Sequence, residues 1–190
     1  FDACVDLDKK YFEEHGVPVV KPIFGCEFYV CSNLENKENR EYAHLILLVK
    51  NEIGYKNISM LNTIAFEKGF YYKPRIDYNT LEKYSEGLIC LSGCLVGDIP
   101  QLLLKGFDEE AYKLGLRLKN MFADGDFYIE IQNHFLQDEI VNLPELKELA
   151  KKLGVKTVAT NDAHYINKED AELQDVLMCV AMKKFVDDPN

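Results

Sequence analysis

The sequence KKLGVKTVATNDAHY (residues 151–165) leads from a helical run through a short apolar stretch to two potential metal ligands. The helix-like pattern stops at Gly154, and the small and β-branched residues at 157–160 are typical of a buried strand. Asp162 and His164 then lie two positions apart, where an extended backbone would direct both side chains to the same side. The stretch therefore indicates a helix-to-strand unit of an α/β fold, with ligand-type residues after the strand.

The rest of the chain repeats this alternation of helical and strand-like segments. Asp108 is expected to cap its helix, and Pro144 is expected to open the next one. The loop at 32–41 is too short for a helical crossover, so the strands on either side of it are expected to be antiparallel. Otherwise the short links predict an α/β fold with a largely parallel sheet. Helices are predicted over 2–15, 54–68, 108–122, 144–153 and after Asn167, and strands over 20–31, 42–50, 87–94, 126–134 and near 157–160.

The chain begins on a helix rather than on a strand. A complete α/β barrel usually needs about 250 residues, whereas this chain has 190. We therefore expect residues 1–190 to form a single domain fragment from which the N-terminal strands of the fold are absent.

The composition narrows the class of protein. Hydrophobic residues make up 47% of the chain and aromatic residues 12%, which predicts an ordered globular domain. With 22 basic and 32 acidic residues the net charge is −10, so a broad electrostatic surface for nucleic acid is not expected. No apolar run approaches the roughly 18–20 residues that span a bilayer, and the N-terminus carries no signal-peptide pattern. We expect a cytoplasmic protein without a membrane partner, whose six cysteines are reduced thiols.

Several predicted strands carry residues that bind metals. Cys94, His134 and the Asp162–His164 pair lie at strand ends, while Glu27 and His44 lie within or at the head of apolar runs. Each has an ordinary structural explanation as well, such as packing for a cysteine or turn capping for an aspartate. In a straight antiparallel ladder we expect Glu27 and His44 at opposite ends, so spacing alone predicts only a weak ligand set.

Six segments in a fixed order resemble the PHP (polymerase and histidinol phosphatase) domain of bacterial DNA polymerase III alpha subunits. They cover nearly all of residues 20–180. The resemblance implies a distorted (β/α)7-type barrel, here incomplete, with a cluster of divalent metal ions that is often trinuclear. The segments are KPIFGCEFYV (21–30), HLILLVKNEIGYKNI (44–58), GFYYKPRID (69–77), GLICLSGCLVGDIPQLLL (87–104), FYIEIQNH (127–134) and VATNDAHYINKEDAELQDVLMC (158–179).

Carried over position by position, the metal ligands of that family fall on five residues of this chain. A thiolate among them favours a metal such as zinc over magnesium, and zinc or manganese is expected. The initial His-x-His of the family is not found within residues 1–190, so the isolated fragment is expected to be inactive. The five predicted ligands are Glu27, His44, Cys94, Asp162 and His164.

The resemblance implies three alternative functions. The first is metal-assisted hydrolysis at a DNA 3′ end, a proofreading exonuclease site within a DNA-directed DNA polymerase chain. The second is a non-catalytic scaffold that stabilises the polymerase and binds a separate proofreading subunit. The third is a small-molecule phosphatase of the histidinol phosphate type. In the first two, the partners are DNA, reached through the parent polymerase, and other replicative polymerase subunits.

Overall fold

A computed structural model describes residues 2–17 and 21–188. It contains two compact units, one ending at Ala159 and the other beginning at Thr160. In chain order the elements are α1 (Asp2–His15), β1 (Gly25–Cys31), β2 (Ala43–Val49), α2 (Glu52–Glu67), β3 (Arg75–Asp77), α3 (Tyr78–Lys83), β4 (Leu88–Leu91), α4 (Asp98–Leu104), α5 (Asp108–Met121), β5 (Phe127–Ile131), α6 (Gln137–Leu153), β6 (Lys156–Ala159), a 3-10 turn (Lys168–Asp170) and α7 (Ala171–Met182).

The first unit is built on one six-stranded sheet of order β3-β1-β2-β4-β5-β6. Strand β2 runs antiparallel to both of its neighbours, and all other neighbouring pairs are parallel. The α/β prediction is confirmed, as is the antiparallel pairing of the first two strands. The sheet is mixed, because β2 interrupts an otherwise parallel arrangement, and it is open, with β3 and β6 at its two edges.

The two faces of the β1–β2 pair differ in burial. Phe28, Val30, Leu45 and Leu47 are buried, and they form the core together with Leu61 of α2. Side chains alternate between the faces of a strand, so the residues between them lie on the opposite, less buried face. That second face carries the candidate functional residues.

A buried arginine fixes the loop between β1 and β2. Arg75, the first residue of β3, is 1% exposed. Its guanidinium donates hydrogen bonds to the carbonyl oxygens of Asn39 at 2.9 Å and Asn36 at 3.5 Å. Since a buried guanidinium needs acceptors, these contacts hold the polar segment 32–41 against the sheet.

The predicted roles of two residues at helix starts are wrong. Asp108 does not cap α5; it is the first residue of that helix, which follows Phe107 and has no side-chain cap. Pro144 does not open α6, because that helix begins at Gln137 and Pro144 lies inside it. Glu139, Asn142, Leu146 and Leu149 are buried on both sides of the proline at helical spacing, so tertiary packing outweighs the hydrogen bond that proline removes.

The remaining structural predictions concern cysteines, the last helix and membrane spanning. In the part of the chain that the structure describes, no disulfide links any of the six cysteines; their reduced state stays a prediction. In the second unit, Asn167 and Asp170 form a capping box at the turn that leads into α7, as predicted for Asn167. Among the described residues, no helix combines the length and apolarity needed to traverse a bilayer. The single domain over 1–190 stays a prediction.

Candidate metal centre

Three of the five predicted ligands converge on one point of the first unit. One ligand atom from each of Glu27, His44 and Cys94 lies within 4.8 Å of the others. The Glu27 carboxylate lies in ion-pair contact with His44 Nδ1, and Cys94 Sγ lies 3.8 Å from the same nitrogen. A carboxylate, an imidazole and a thiol are the donor types that zinc binds in proteins.

The register of β1 against β2 brings Glu27 to His44. Glu27 pairs with Ile46, and Tyr29 pairs with His44. Glu27 and His44 are therefore diagonal neighbours on one face of the sheet, a relation within reach of long side chains. The expectation that a straight ladder would separate them was wrong, and no bulge or bend is required.

A tight loop after β4 places Cys94 beside His44. Gly93 has a φ of +88°, and a Cβ atom there would lie 2.3 Å from the carbonyl oxygen of His44. The backbone N–H of His44 donates to the carbonyl of Val96 at 3.3 Å. The loop thus lies directly against the first residues of β2, and glycine is needed for both its conformation and its closeness.

Cys26 and Cys90 are two further thiols near the candidate site, and burial changes their ionisation. Burial raises the pKa of Cys26, and the Glu27 carboxylate raises it further. Burial also raises the pKa of Cys90 well above its ordinary value, with a further increase from Glu130. Because the thiolate is the form that binds metals, these two cysteines are poor ligands despite their proximity to the sheet centre.

Asp162 and His164 belong to the second unit. Asp162 has a φ of +43°, and His164 Nδ1 lies 2.7 Å from the Asp162 carbonyl oxygen. Both residues are exposed. Their participation in a metal cluster with the other three residues stays a prediction.

The sequence did not single out Glu139, the partner of His134. Glu139 is 6% exposed and accepts hydrogen bonds from the His134 backbone N–H at 2.5 Å and from its Nδ1 at 2.8 Å. Burial alone would raise the pKa of Glu139, but the bonds from His134 outweigh burial and hold that pKa below its ordinary value. The five-residue spacing of the pair matches no periodic pattern that a sequence search would detect.

A small cavity adjoins the loop that carries Cys94. It has a volume of about 20 Å³ and is lined in part by Glu130, Glu139 and Asn142. Asn142 is 2% exposed, and its Oδ1 accepts no hydrogen bond among the described residues. The sequence signal for Glu130 was the same as for Glu27, a carboxylate within an apolar strand.

Comparison with known proteins supports the resemblance. The PHP domain family matches residues 3–134. This chain is a member of the PHP domain family. Over 176 residues the PHP chain is 45% identical to the DNA polymerase III subunit alpha of Treponema pallidum, a match that covers 90% of this chain and 15% of that protein. The corresponding protein of Thermus aquaticus is 44% identical over 177 residues, which cover 90% and 14% of the two chains.

The same coverage recurs in a third relative. The DNA polymerase III subunit alpha of Borreliella burgdorferi is 43% identical over 176 residues, again 90% of this chain and 15% of the relative. The PHP chain therefore spans about 15% of the length of the relatives it matches. The predicted resemblance to the PHP domain of bacterial DNA polymerase III alpha subunits is confirmed.

Proposed function

We propose that this PHP domain hydrolyses phosphodiester bonds at DNA 3′ ends, as a metal-dependent proofreading site in the alpha subunit of a bacterial replicative DNA polymerase. The observation that carries the proposal is the convergence of Glu27, His44 and Cys94 on one face of the sheet. The similarity to DNA polymerase III alpha subunits supports DNA as the substrate and other replicative subunits as partners. It also supports a cytoplasmic location.

The donor set fits a divalent metal of borderline softness. Thiol and imidazole favour zinc, and the carboxylate also suits manganese. We propose that Asp162 and His164 complete the site, and that it extends to a trinuclear cluster in the intact domain. When bound, the metals would supply electrostatic stabilisation of phosphate oxygens and activation of a water nucleophile.

The residues of the chain hold this site in place. The Glu27 carboxylate lies against His44 Nδ1, so this contact holds two of the proposed ligands side by side. The tight loop at Gly93 keeps the Cys94 thiol next to that ring. Cations held here would also offset the net charge of −10, which otherwise repels a phosphate backbone.

Two alternatives predict different behaviour. A scaffold that stabilises the polymerase and binds a separate proofreading subunit needs no converging donors, so the cluster supports catalysis over that role. A phosphatase of the histidinol phosphate type would act on small phosphomonoesters. The polymerase relatives support a DNA substrate instead.

The test uses the complete natural protein that contains residues 1–190. Metal content is measured by mass spectrometry, and hydrolysis is followed on a labelled single-stranded oligonucleotide. Asp162→Ala and Glu27→Gln are each expected to reduce metal affinity by at least about 10-fold and to abolish hydrolysis, with polymerisation unchanged. Chelation should remove hydrolysis, and added zinc or manganese should restore it. Asp124→Asn, an exposed change outside the cluster, is the matched control.

The outcomes separate the three functions. Stable protein without bound metal, polymerising normally and hydrolysing nothing, would favour the scaffold. Turnover of a small phosphomonoester with no action on DNA would favour the phosphatase. Residues 1–190 alone are expected to hydrolyse little, because they lack the family's initial His-x-His; nuclease activity of the purified fragment would contradict that expectation.

A further inference from the structure

Two tyrosines lie on the less buried face of the β1–β2 pair, together with the proposed ligands Glu27 and His44. The ring centroid of Tyr29 lies 4.6 Å from that of Tyr42, in an edge-to-face arrangement. The Tyr42 ring is nearly parallel to the imidazole of His44, with centroids 6.1 Å apart and an angle of 6° between the planes. Tyr42 is 39% exposed. An aromatic surface therefore borders the candidate metal centre directly.

Basic side chains lie against this and the neighbouring aromatic rings. Lys73 Nζ lies 5.4 Å above the Tyr29 ring, and the guanidinium of Arg40 lies 3.9 Å above the Tyr72 ring. Both basic residues are exposed. Among the described residues, no carboxylate lies within 4.0 Å of the Lys73 ammonium. The chain as a whole has ten more acidic than basic residues, whereas the charged side chains that lie against these rings are basic.

We infer that Tyr42, Tyr29 and Lys73 form a stacking subsite for the 3′-terminal nucleotides of single-stranded DNA. This inference rests on the proposed function and names how that site holds its substrate. A base stacks on the exposed Tyr42 ring, while Lys73 faces the phosphate backbone. Aromatic rings interleaved with cations are the arrangement by which proteins bind single strands without sequence preference.

The geometry selects a single strand over a duplex. A base inside a duplex is paired and stacked on both faces, whereas an unpaired 3′-terminal base can leave its neighbour and stack on an aromatic side chain. Tyr42 lies beside His44, so a strand whose terminal phosphate reaches the metal centre has its adjacent base near that ring. Arg75 holds the 32–41 loop that leads into Tyr42, which orders the approach to this surface.

Photocross-linking of the complete natural protein tests the inference without requiring hydrolysis. The probe is a single-stranded oligonucleotide with 5-iododeoxyuridine at its 3′ end, irradiated both with metal present and in chelator. Cross-linked peptides are identified by mass spectrometry. We expect the cross-link on the segment that contains Tyr42, and we expect a duplex of the same sequence not to produce it. Cross-links confined to other segments under both conditions would overturn the subsite.

Variants supply a second, kinetic measurement. Tyr42→Leu removes the ring and is expected to raise KM for single-stranded DNA by about 5- to 100-fold with kcat nearly unchanged, whereas Tyr42→Phe keeps the ring and should behave as wild type. Lys73→Gln should weaken binding and flatten its dependence on salt. Tyr55→Leu, a change of an exposed tyrosine on α2, is the matched control. Equal KM values for Tyr42→Leu and Tyr55→Leu would overturn the subsite.

The two experiments distinguish failure of the stacking subsite from failure of the proposed exonuclease. A cross-link at Tyr42 without any hydrolysis leaves the subsite standing and removes the exonuclease. Hydrolysis that depends on Asp162, without a cross-link at Tyr42 and with an unchanged KM in Tyr42→Leu, leaves the exonuclease standing and removes the subsite.

Discussion

Replacing Gly93 by alanine tests whether the loop after β4 holds Cys94 against His44. An added Cβ would lie 2.3 Å from the His44 carbonyl oxygen, so the loop and β2 must separate by about 1 Å to reach ordinary van der Waals contact. The φ of +88° adds strain of roughly 1–2 kcal/mol for a non-glycine residue. Overpacking of a tight site costs a further 1–3 kcal/mol or so. We expect Gly93→Ala to lower the free energy of unfolding by about 2–5 kcal/mol and to lengthen the 3.8 Å separation of Cys94 from His44.

The assay combines urea unfolding, hydrogen exchange of peptides that cover the loop, and zinc titration. Gly125→Ala is the matched control, because Gly125 has a φ of +81° and nothing within 4 Å of an added Cβ. It reports the backbone strain alone. Gly93→Ala should cost roughly 1–3 kcal/mol more than Gly125→Ala and weaken zinc binding by about 10- to 100-fold. Equal stability losses with unaltered zinc binding would refute the reasoning.

Two further predictions concern hydrogen bonds of side chains that are buried or partly buried. The Tyr78 hydroxyl donates to Asp98 at 2.6 Å, so Tyr78→Phe should lower the free energy of unfolding by about 1.5–3 kcal/mol at neutral pH. Burial and Asp98 raise the pKa of Tyr78 well above its ordinary value, so wild-type stability should fall as pH rises above about 10. Urea unfolding of the Phe variant should show a smaller fall. Glu139→Gln should lower the free energy of unfolding by about 1.5–3 kcal/mol for each charged hydrogen bond to His134 that is lost. Because the pKa of Glu139 is lowered, the stabilisation from these bonds is complete above about pH 4.3 and is lost below it. Unfolding curves at several pH values check this, with Glu145→Gln on the exposed side of α6 as control, and a cost that does not change with pH would contradict it.

The elements that sequence reasoning missed are the short ones. Strand β3 has 3 residues, α3 has 6 and α4 has 7, which is too little chain for a hydrophobic period to repeat. The start of α6 was missed for a different reason. A proline usually marks the first turn of a helix, but the buried residues on both sides of Pro144 extend one packed face through it.

The residues of the candidate site could be named from the sequence, but their arrangement could not. The prediction of Glu27, His44 and Cys94 as ligands came from the resemblance, and spacing alone argued against bringing the first two together. Their convergence depends on the β1–β2 register and on a left-handed glycine packed against a carbonyl. Neither feature is visible in residue types alone.

By itself, the sequence determined the order and kind of the long helices and strands and the membership of the PHP family. These follow from periodicity, composition and residue identity, all of which are local along the chain. Tertiary structure alone decided which side chains meet: Glu27 with His44, Cys94 with that same imidazole, and His134 with Glu139. The physical reason is that register, loop closure and burial are set by packing between segments distant in sequence, and a hydrophobic pattern does not specify those distances.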